Sequence, residues 1–377
     1  MNSKGVNMDN VTEKKVSHFI HLSHNDMDGY GPMILSKFLE RRNEKEGLLK
    51  DVQWHYINVA AGPAYLEKLK EIAERLETDP RPDEEICLMI TDLALTQEVL
   101  DLLTSDAFKN VNISYYDHHM LQDVDTSKIP EDWIIESEHE GIPTCATAIY
   151  FRTIKESLRK IVHTLAADEQ DMHELRNIIL FLESVVDNIR YYDTWEWKAH
   201  DYQYPKYLNM LFNIYGGDGF VDLIISQIEA QLYSSVDTMM NDDPAISSLI
   251  KAKIHEEESY IEKKLKEVCK LSNYTRNRDT YKLENGREFG VVFADKYISE
   301  LGNRICEAYP DIDAALIING PSISFRTIKD DFDCAEFAKR FARGGGHQKA
   351  SGCTMPSEKI NLYAKNLLSD FSDVVRF

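Results

Sequence analysis

The alternation of short β-type runs with helical patterns over the first half of the chain limits the fold more than any other feature. Val16–Ser23 (VSHFIHLS) is a β-type run, followed by an acidic, glycine-containing loop and a helical pattern over Pro32–Arg41. Val52–Val59 (VQWHYINV) is β-rich, and Pro63–Leu76 then carries Leu66, Leu69, Ile72, Ala73 and Leu76 at helical spacing. Ile86–Thr91 (ICLMIT) is apolar throughout, as expected of a parallel strand buried on both faces. Thr96–Leu103 reads as a helix starting near Thr96, Val111–Tyr116 as a strand and Pro143–Ile154 as a helix. This order predicts βαβ units and an α/β fold, with a parallel sheet covered by helices on both faces.

From about Leu158 to Glu284 the pattern becomes helical and highly charged, as in Asp171–Val186 and Ala245–Leu271. Glu256–Glu267 (EEESYIEKKLKE) sets acids before lysines at helix-pair spacing and reads as a solvated helix. Strands return at Glu288–Ala294, Ala314–Asn319 and Ser322–Thr327, with helices at Ile298–Ala308 and Cys334–Phe341. A chain of 377 residues exceeds one ordinary core. The expected division is a parallel-sheet domain over 16–195, a helical insert and linker over 196–284, and a smaller α/β domain over 285–377.

Composition narrows the function classes. A net charge of −21 argues against a protein that tracks long nucleic acid over a broad basic surface. A 43% hydrophobic and 10% aromatic content excludes a largely disordered chain. No apolar run is long enough for a membrane span, and the start MNSKGVNMDNVTEKKVSHF has no apolar leader segment. The six cysteines are scattered without a C-x-x-C pair, so they read as reduced core thiols of a cytoplasmic protein.

Acids and histidines gather where the expected strands end. The first ends in Ser23-His24-Asn25-Asp26-Met27-Asp28-Gly29, the third in Thr91-Asp92, and the fourth in Tyr116-Asp117-His118-His119. In an open parallel sheet, ligands sit beyond the carboxyl ends of the strands, so these segments share one edge. Taken singly, Asp92 could cap the next helix, and Asp26 and Asp28 could form the turn before Gly29. His21, inside the strand, reads as structural. Together, His24, Asp26, Asp28, Asp92, Asp117, His118 and His119 crowd carboxylates that repel one another unless cations neutralise them. Oxygen and imidazole ligands suit Mn²⁺, with Mg²⁺ or Co²⁺ as substitutes.

The segments His24-x-Asp26-x-Asp28-Gly29, Asp92 and Asp117-His118-His119 resemble the motifs of the DHH phosphoesterase superfamily. The fourth motif of that family matches Asp193 in Tyr192-Asp193-Thr194-Trp195, with Asp187 as competitor. Gly344-Gly345-Gly346-His347 is similar to the GGGH signature of the DHHA1 domain, and Ser324-Phe325-Arg326 lies where relatives carry a substrate-facing Ser and Arg. Many members have His as H-x-x-x-D-x-D; the shorter spacing here resembles the nano-RNase branch of oligoribonucleases, in particular its B type.

The resemblance implies two metal ions and phosphodiester hydrolysis by an activated water. Asp92 would bridge the ions; Asp26, His24 and Asp193 would hold one or both, Asp28 and His118 would favour the second, and Asp117 would be a further ligand. His118 and His119 would serve the chemistry itself. Ser324, Arg326, Gly344, Gly345, Gly346 and His347 would bind substrate, with Arg326 forking to a phosphate unless Asp330 or Asp331 engages it. The expected substrate is short single-stranded RNA, degraded to mononucleotides in the 3′-to-5′ direction. A cyclic-dinucleotide phosphodiesterase, a phosphoadenosine-phosphate phosphatase and a non-catalytic nucleotide sensor stay open as alternatives. The helical middle is open to use as a homodimer interface or as a lid.

Overall fold

The structure, a computed structural model, describes residues 16–46, 52–78, 84–121, 123–165, 169–271, 287–341 and 343–355. The amino-terminal residues 1–15, read above as a polar start without a leader, lie outside the described residues. The chain divides into two compact units, Met1–Ile250 and Lys251–Phe377.

In the first unit β1 (Val16–His24), α1 (Met27–Glu46), β2 (Gln53–Val59), α2 (Pro63–Thr78), β3 (Glu85–Thr91), α3 (Gln97–Leu103) and β4 (Val111–Asp117) follow the expected alternation. The short β5 (Ile134–Ile135) completes a five-stranded sheet of order β2-β1-β3-β4-β5, parallel at every pairing. A small hairpin, β6 (Glu138–His139) and β7 (Ile142–Pro143), precedes α4 (Ala146–Leu165). Then come α5 (Glu169–Asp193), α6 (Glu196–Ala199), α7 (Tyr204–Ala230), α8 (Val236–Asp242) and α9 (Pro244–Leu265), with the unit boundary inside α9.

The apolar run of β3 explains why the sheet is the centre of this unit. Leu88 and Ile90 are buried with Leu22 of β1 and Tyr115 of β4, under Leu69 and Ile72 of α2 and Val99 and Leu100 of α3. Burying side chains of this size stabilises the fold by about 1.5–3 kcal/mol each. The chain leaves β1 toward β2 on one side and returns to β3 on the other, so the strand order reverses between β1 and β3. That reversal opens a crevice at the carboxyl ends of these strands.

Three expectations need correction. α1 starts at Met27 rather than Pro32, because Asp28 and Gly29 belong to its first turn and not to a preceding loop. The helix expected over Ala245–Leu271 stops at Leu265, and Cys269–Leu271 instead forms β8, antiparallel to β9. The helix expected over Cys334–Phe341 is the single turn Cys334–Ala338. The helices over 196–250 pack within the first unit, where α7 lies against α1 and α5.

The second unit holds β8, β9 (Phe289–Phe293), α10 (Ile298–Ala308), β10 (Ala314–Asn319), β11 (Ser322–Arg326), α11 (Cys334–Ala338), β12 (Gly345–Gly346) and β13 (Ala350–Thr354). They form a mixed six-stranded sheet, β12-β13-β11-β10-β9-β8. One face buries Val292, Ala315 and Ile317 against Leu301 and Ile305 of α10. The other buries Phe289, Phe325, Phe332 and Cys334 around α11. Cys87, Cys145, Cys306, Cys334 and Cys353 are free thiols. No described helix is long and apolar enough to cross a membrane.

Candidate metal centre and substrate edge

The adjacency of β1, β3 and β4 delivers the three acidic segments to one place. His24 ends β1, and its Nδ1 lies 2.9 Å from Asp26 Oδ2 and 3.4 Å from Asp92 Oδ2. Asp26 Oδ1 accepts from the Gly29 N–H at 3.0 Å, which ties the loop to the first turn of α1. A side chain at residue 29 would put its Cβ 2.1 Å from the His24 carbonyl oxygen, so only glycine lets α1 start this close to β1.

Asp28 has a second duty that local pattern could not reveal. Its carboxylate accepts from Ala146 N at 2.8 Å and Thr147 N at 3.0 Å, and its carbonyl accepts from Thr147 Oγ1. It therefore caps α4 from a distant part of the chain, where the helix dipole favours its negative charge.

Asp92 follows β3 with φ +56, in the left-handed region that non-glycine residues enter at a cost of about 1 kcal/mol or more. Its N–H still bonds Tyr116 O at 3.0 Å. Tyr115 pins the next residue by donating to Leu93 O. Asp92 does not cap α3; Thr96 does, accepting from Val99 N. Beneath it, Ser23 Oγ donates to Gly29 O at 2.7 Å and meets Thr91 Oγ1 at 2.6 Å, while His21 Nε2 reaches the same hydroxyl at 2.9 Å. Sequence reasoning passed over this Ser23–Thr91–His21 latch, whose signal was polar residues inside otherwise apolar strands.

Asp117, fully buried at the end of β4, has Oδ1 2.7 Å from His119 Nδ1. His118 Nε2 lies 3.3 Å from Asp92 Oδ1, 3.5 Å from Asp193 Oδ2 and 3.9 Å from Asp28 Oδ2. Asp193 ends α5 and joins the cluster; Asp187 is exposed and stands outside it. Three groups of ligand atoms result: His24, Asp26 and Asp92; Asp92, Asp117, His118 and His119; and Asp28, His118 and Asp193. Asp92 belongs to two of them. Asp193 sits with Asp28 and His118.

The electrostatics reflect this crowding. Burial and the charges of Asp26 and Asp28 push the Asp92 carboxyl well above its ordinary range. Burial raises Asp193 to about 7 against the pull of His118. Burial opposes protonation of His24, but Asp26 and Asp92 outweigh it and raise that ring to about 10. Burial likewise works against charge on His118, and Asp193 and Asp28 overcome it. For Asp117 burial pushes upward, and the bond and charge of His119 bring the net shift down.

Asp92 Oδ2 and Asp117 Oδ2 are buried and accept no hydrogen bond. A buried carboxylate oxygen left unpaired costs about 1–3 kcal/mol or more. Hard oxygen donors beside imidazoles fit a divalent cation of the Mg²⁺–Mn²⁺–Co²⁺ type. The residues present thus suit metal ions.

The second unit assembles the other expected residues on one sheet edge. Ser324 pairs with Gly352, and Gly352 in turn pairs with Gly345, so the three lie in a row across β11, β13 and β12. Arg326, two residues along β11, donates to Ser299 Oγ at 2.8 Å and to Phe325 O. Asp330 pairs with Lys349, and Asp331 lies near Arg287. Gly344 cannot carry a side chain, since a Cβ would fall 1.8 Å from Ala338 O, whereas a Cβ on Gly345 would meet nothing within 4 Å. His347 is exposed in the β12–β13 turn, closed by its N–H to Ala350 O at 2.7 Å.

Comparison with known proteins follows the same line. No family model matches the chain. Oligoribonuclease NrnB of Bacillus subtilis (strain 168) is 30% identical over 352 residues, covering 90% of this chain and 74% of that protein. A 3′,5′-cyclic-nucleotide phosphodiesterase of Helicobacter pylori is 22% identical, covering 88% of this chain and 91% of that protein. Among solved structures, the DHH domain of a member of a ribosomal-protein family is similar in fold. It has a TM-score of 0.50 at 15% identity, covering 94% of this chain and 87% of that one. On the length and level of its similarity to NrnB, this chain belongs to the DHH phosphoesterase superfamily, within the oligoribonuclease family of NrnB.

Proposed function

We propose that the protein is a metal-dependent nucleotide phosphodiesterase that degrades short RNA to mononucleotides from the 3′ end, with Mn²⁺ as its cation. One observation carries this reading: Asp92 and Asp117 meet at neighbouring strand ends, each with a buried carboxylate oxygen that accepts no hydrogen bond. The parallel sheet crowds these acids together, and divalent cations would relieve their mutual repulsion. Two divalent cations, when bound, polarise the phosphoryl group and make water a better nucleophile.

The remaining work falls to the chain. His24, Asp26, Asp92, Asp117, His118 and Asp193 would hold the cations, and Asp92 is shared by two of the ligand groups. Asp28 adds charge while its oxygens hold α4 in place. His119, oriented by Asp117, is a donor to the scissile phosphate, as metal-site histidines are commonly oriented by a carboxylate. Ser324, Arg326, Gly344, Gly345, Gly346 and His347 are assigned to the phosphates and sugars of the substrate. Arg326 supplies the paired donors that phosphate recognition favours, and the glycines let a ligand approach the backbone.

The net charge of −21 favours a short substrate over a long one. The similarity to NrnB points to RNA oligonucleotides, and the similarity to a cyclic-nucleotide phosphodiesterase supports a cyclic substrate as the second reading. A length series of RNA labelled at the 5′ end, incubated with Mn²⁺, separates them. Shortening ladders ending in mononucleotides are expected. Immediate release of the labelled 5′ nucleotide would reverse the polarity. Intact RNA alongside rapid opening of a cyclic nucleotide would replace the substrate.

A further inference from the structure

The turn after Asp193 carries a residue that its local structure disfavours. Trp195 stands at φ +62, ψ +8, left-handed, where a bulky side chain is a rare outlier. It is also the N-cap of α6 and makes no side-chain capping bond, although short polar residues are strongly preferred there. The turn has other means of support. Thr194 Oγ1 donates to Arg190 O at 2.8 Å and to Glu196 Oε2 at 2.9 Å. Arg190 pairs with Glu196 and donates to Pro143 O at 3.1 Å. Glycine or asparagine would fit this backbone with less strain. What tryptophan adds is its ring.

That ring belongs to a group of three. Trp195 lies 5.7 Å from Trp197 and 6.4 Å from Tyr192, centroid to centroid, with interplanar angles of 33° and 26°. Trp197 is buried, and the Tyr192 hydroxyl accepts from Asn209 Nδ2 at 2.7 Å, so both neighbours are anchored. Trp195 is only half-buried. Its Cα is two residues, at most about 7 Å, from that of Asp193, whose carboxylate is 3.5 Å from His118. Residues kept in strained backbone beside a reactive cluster are where a ligand contact is expected.

We infer that Trp195 is a substrate-binding residue that stacks on the nucleobase beside the scissile phosphate. The inference rests on the phosphodiesterase reading and gives it a basis for selecting nucleosidic over plain phosphodiesters. Stacking of this kind tolerates every base, because each has a π-face.

The test compares the dinucleotide pApA with the same dinucleotide made abasic, for the wild type, Trp195→Gly and Trp195→Phe. Glycine keeps the left-handed turn without the ring; should it not fold, Trp195→Asn suits both the backbone and the N-cap. Trp195→Gly is expected to raise KM for pApA about tenfold, within the range for loss of one stacked base, with kcat little changed. KM for the abasic substrate stays where it was, and Trp195→Phe recovers most of the loss. AMP binding by calorimetry in Ca²⁺ falls in parallel. An equal rise for both substrates, or no rise for pApA, overturns the stacking role while leaving the phosphodiesterase reading intact. A wild type that cleaves neither substrate with Mn²⁺, Mg²⁺ or Co²⁺ overturns both.

Discussion

The two units build their candidate sites from opposite materials. In the first, the candidate groups are largely buried side chains: carboxylates and imidazoles stand within about one hydrogen-bond length of each other, and Asp92 and Asp117 each keep an oxygen that accepts no hydrogen bond. In the second, the edge formed by Gly345, Gly352 and Ser324 offers backbone and empty space, with Arg326 held nearby by Ser299. The first arrangement is destabilising until something cationic enters. The second costs the fold little, and any selectivity proposed for it would come from what is missing. Substitutions should therefore behave differently in the two: kcat and metal response in one, KM in the other.

The largest effect expected is on turnover. Replacing both Asp117 and His118 by Ala should reduce kcat by about a thousandfold or more, the scale on which removal of a metal-centred transition-state contact is felt. Steady-state kinetics on a short RNA checks this, and circular dichroism checks that the fold persists. Loss confined to KM would move the chemistry away from this cluster.

Asp92→Asn tests the claim that the cluster is destabilising without cations. Asparagine tolerates the left-handed backbone and removes one of several like charges. In EDTA the variant should melt higher than the wild type, because one of the crowded like charges is gone. On adding Mn²⁺ the order should invert, because only the wild type gains stability by binding. A wild type whose melting ignores Mn²⁺ would remove the basis of the contrast.

His21 gives a pH signature to the latch under the metal centre. Burial lowers its ring to about 3, while the unfolded chain takes a proton near the ordinary 6.5. Between these values the unfolded state holds more protons, so this residue's contribution falls as pH drops from 6.5 towards 3. The loss amounts to about 2–4 kcal/mol. Denaturant melts of wild type and His21→Gln across that range should diverge, with the wild type losing more. Parallel curves would mean that the ring is protonated in the folded state.

The same contrast explains which parts were legible in the sequence. The first site announces itself through residue types at strand ends, and a parallel sheet forces such ends together; even Asp193 over Asp187 followed from motif context. What local pattern missed was long-range. Asp28 reads as a turn residue until α4, more than a hundred positions on, supplies Ala146 and Thr147 as its donors. β8 reads as the tail of a helix, because its strand character comes from pairing with β9. β12 is two glycines, with no β-propensity of their own, and exists only because Gly352 and Ser351 face them across the ladder.

The smallest effect is the most discriminating. Gly344 and Gly345 are neighbours in one motif, yet their environments differ. A methyl on Gly344 would collide with the Ala338 carbonyl, whereas one on Gly345 enters open space. Gly344→Ala should therefore lower stability by about 1–3 kcal/mol through forced backbone movement. Gly345→Ala should leave the melting temperature unchanged, because the added methyl meets no protein atom. If the space beside Gly345 is kept for a substrate phosphate or sugar, the same methyl obstructs it, and KM should rise about three- to tenfold, or about 1 kcal/mol. A silent Gly345→Ala would reduce the second glycine to a consequence of tight chain geometry. A change in KM with unaltered stability would give the empty edge a binding role that no contact within the protein requires.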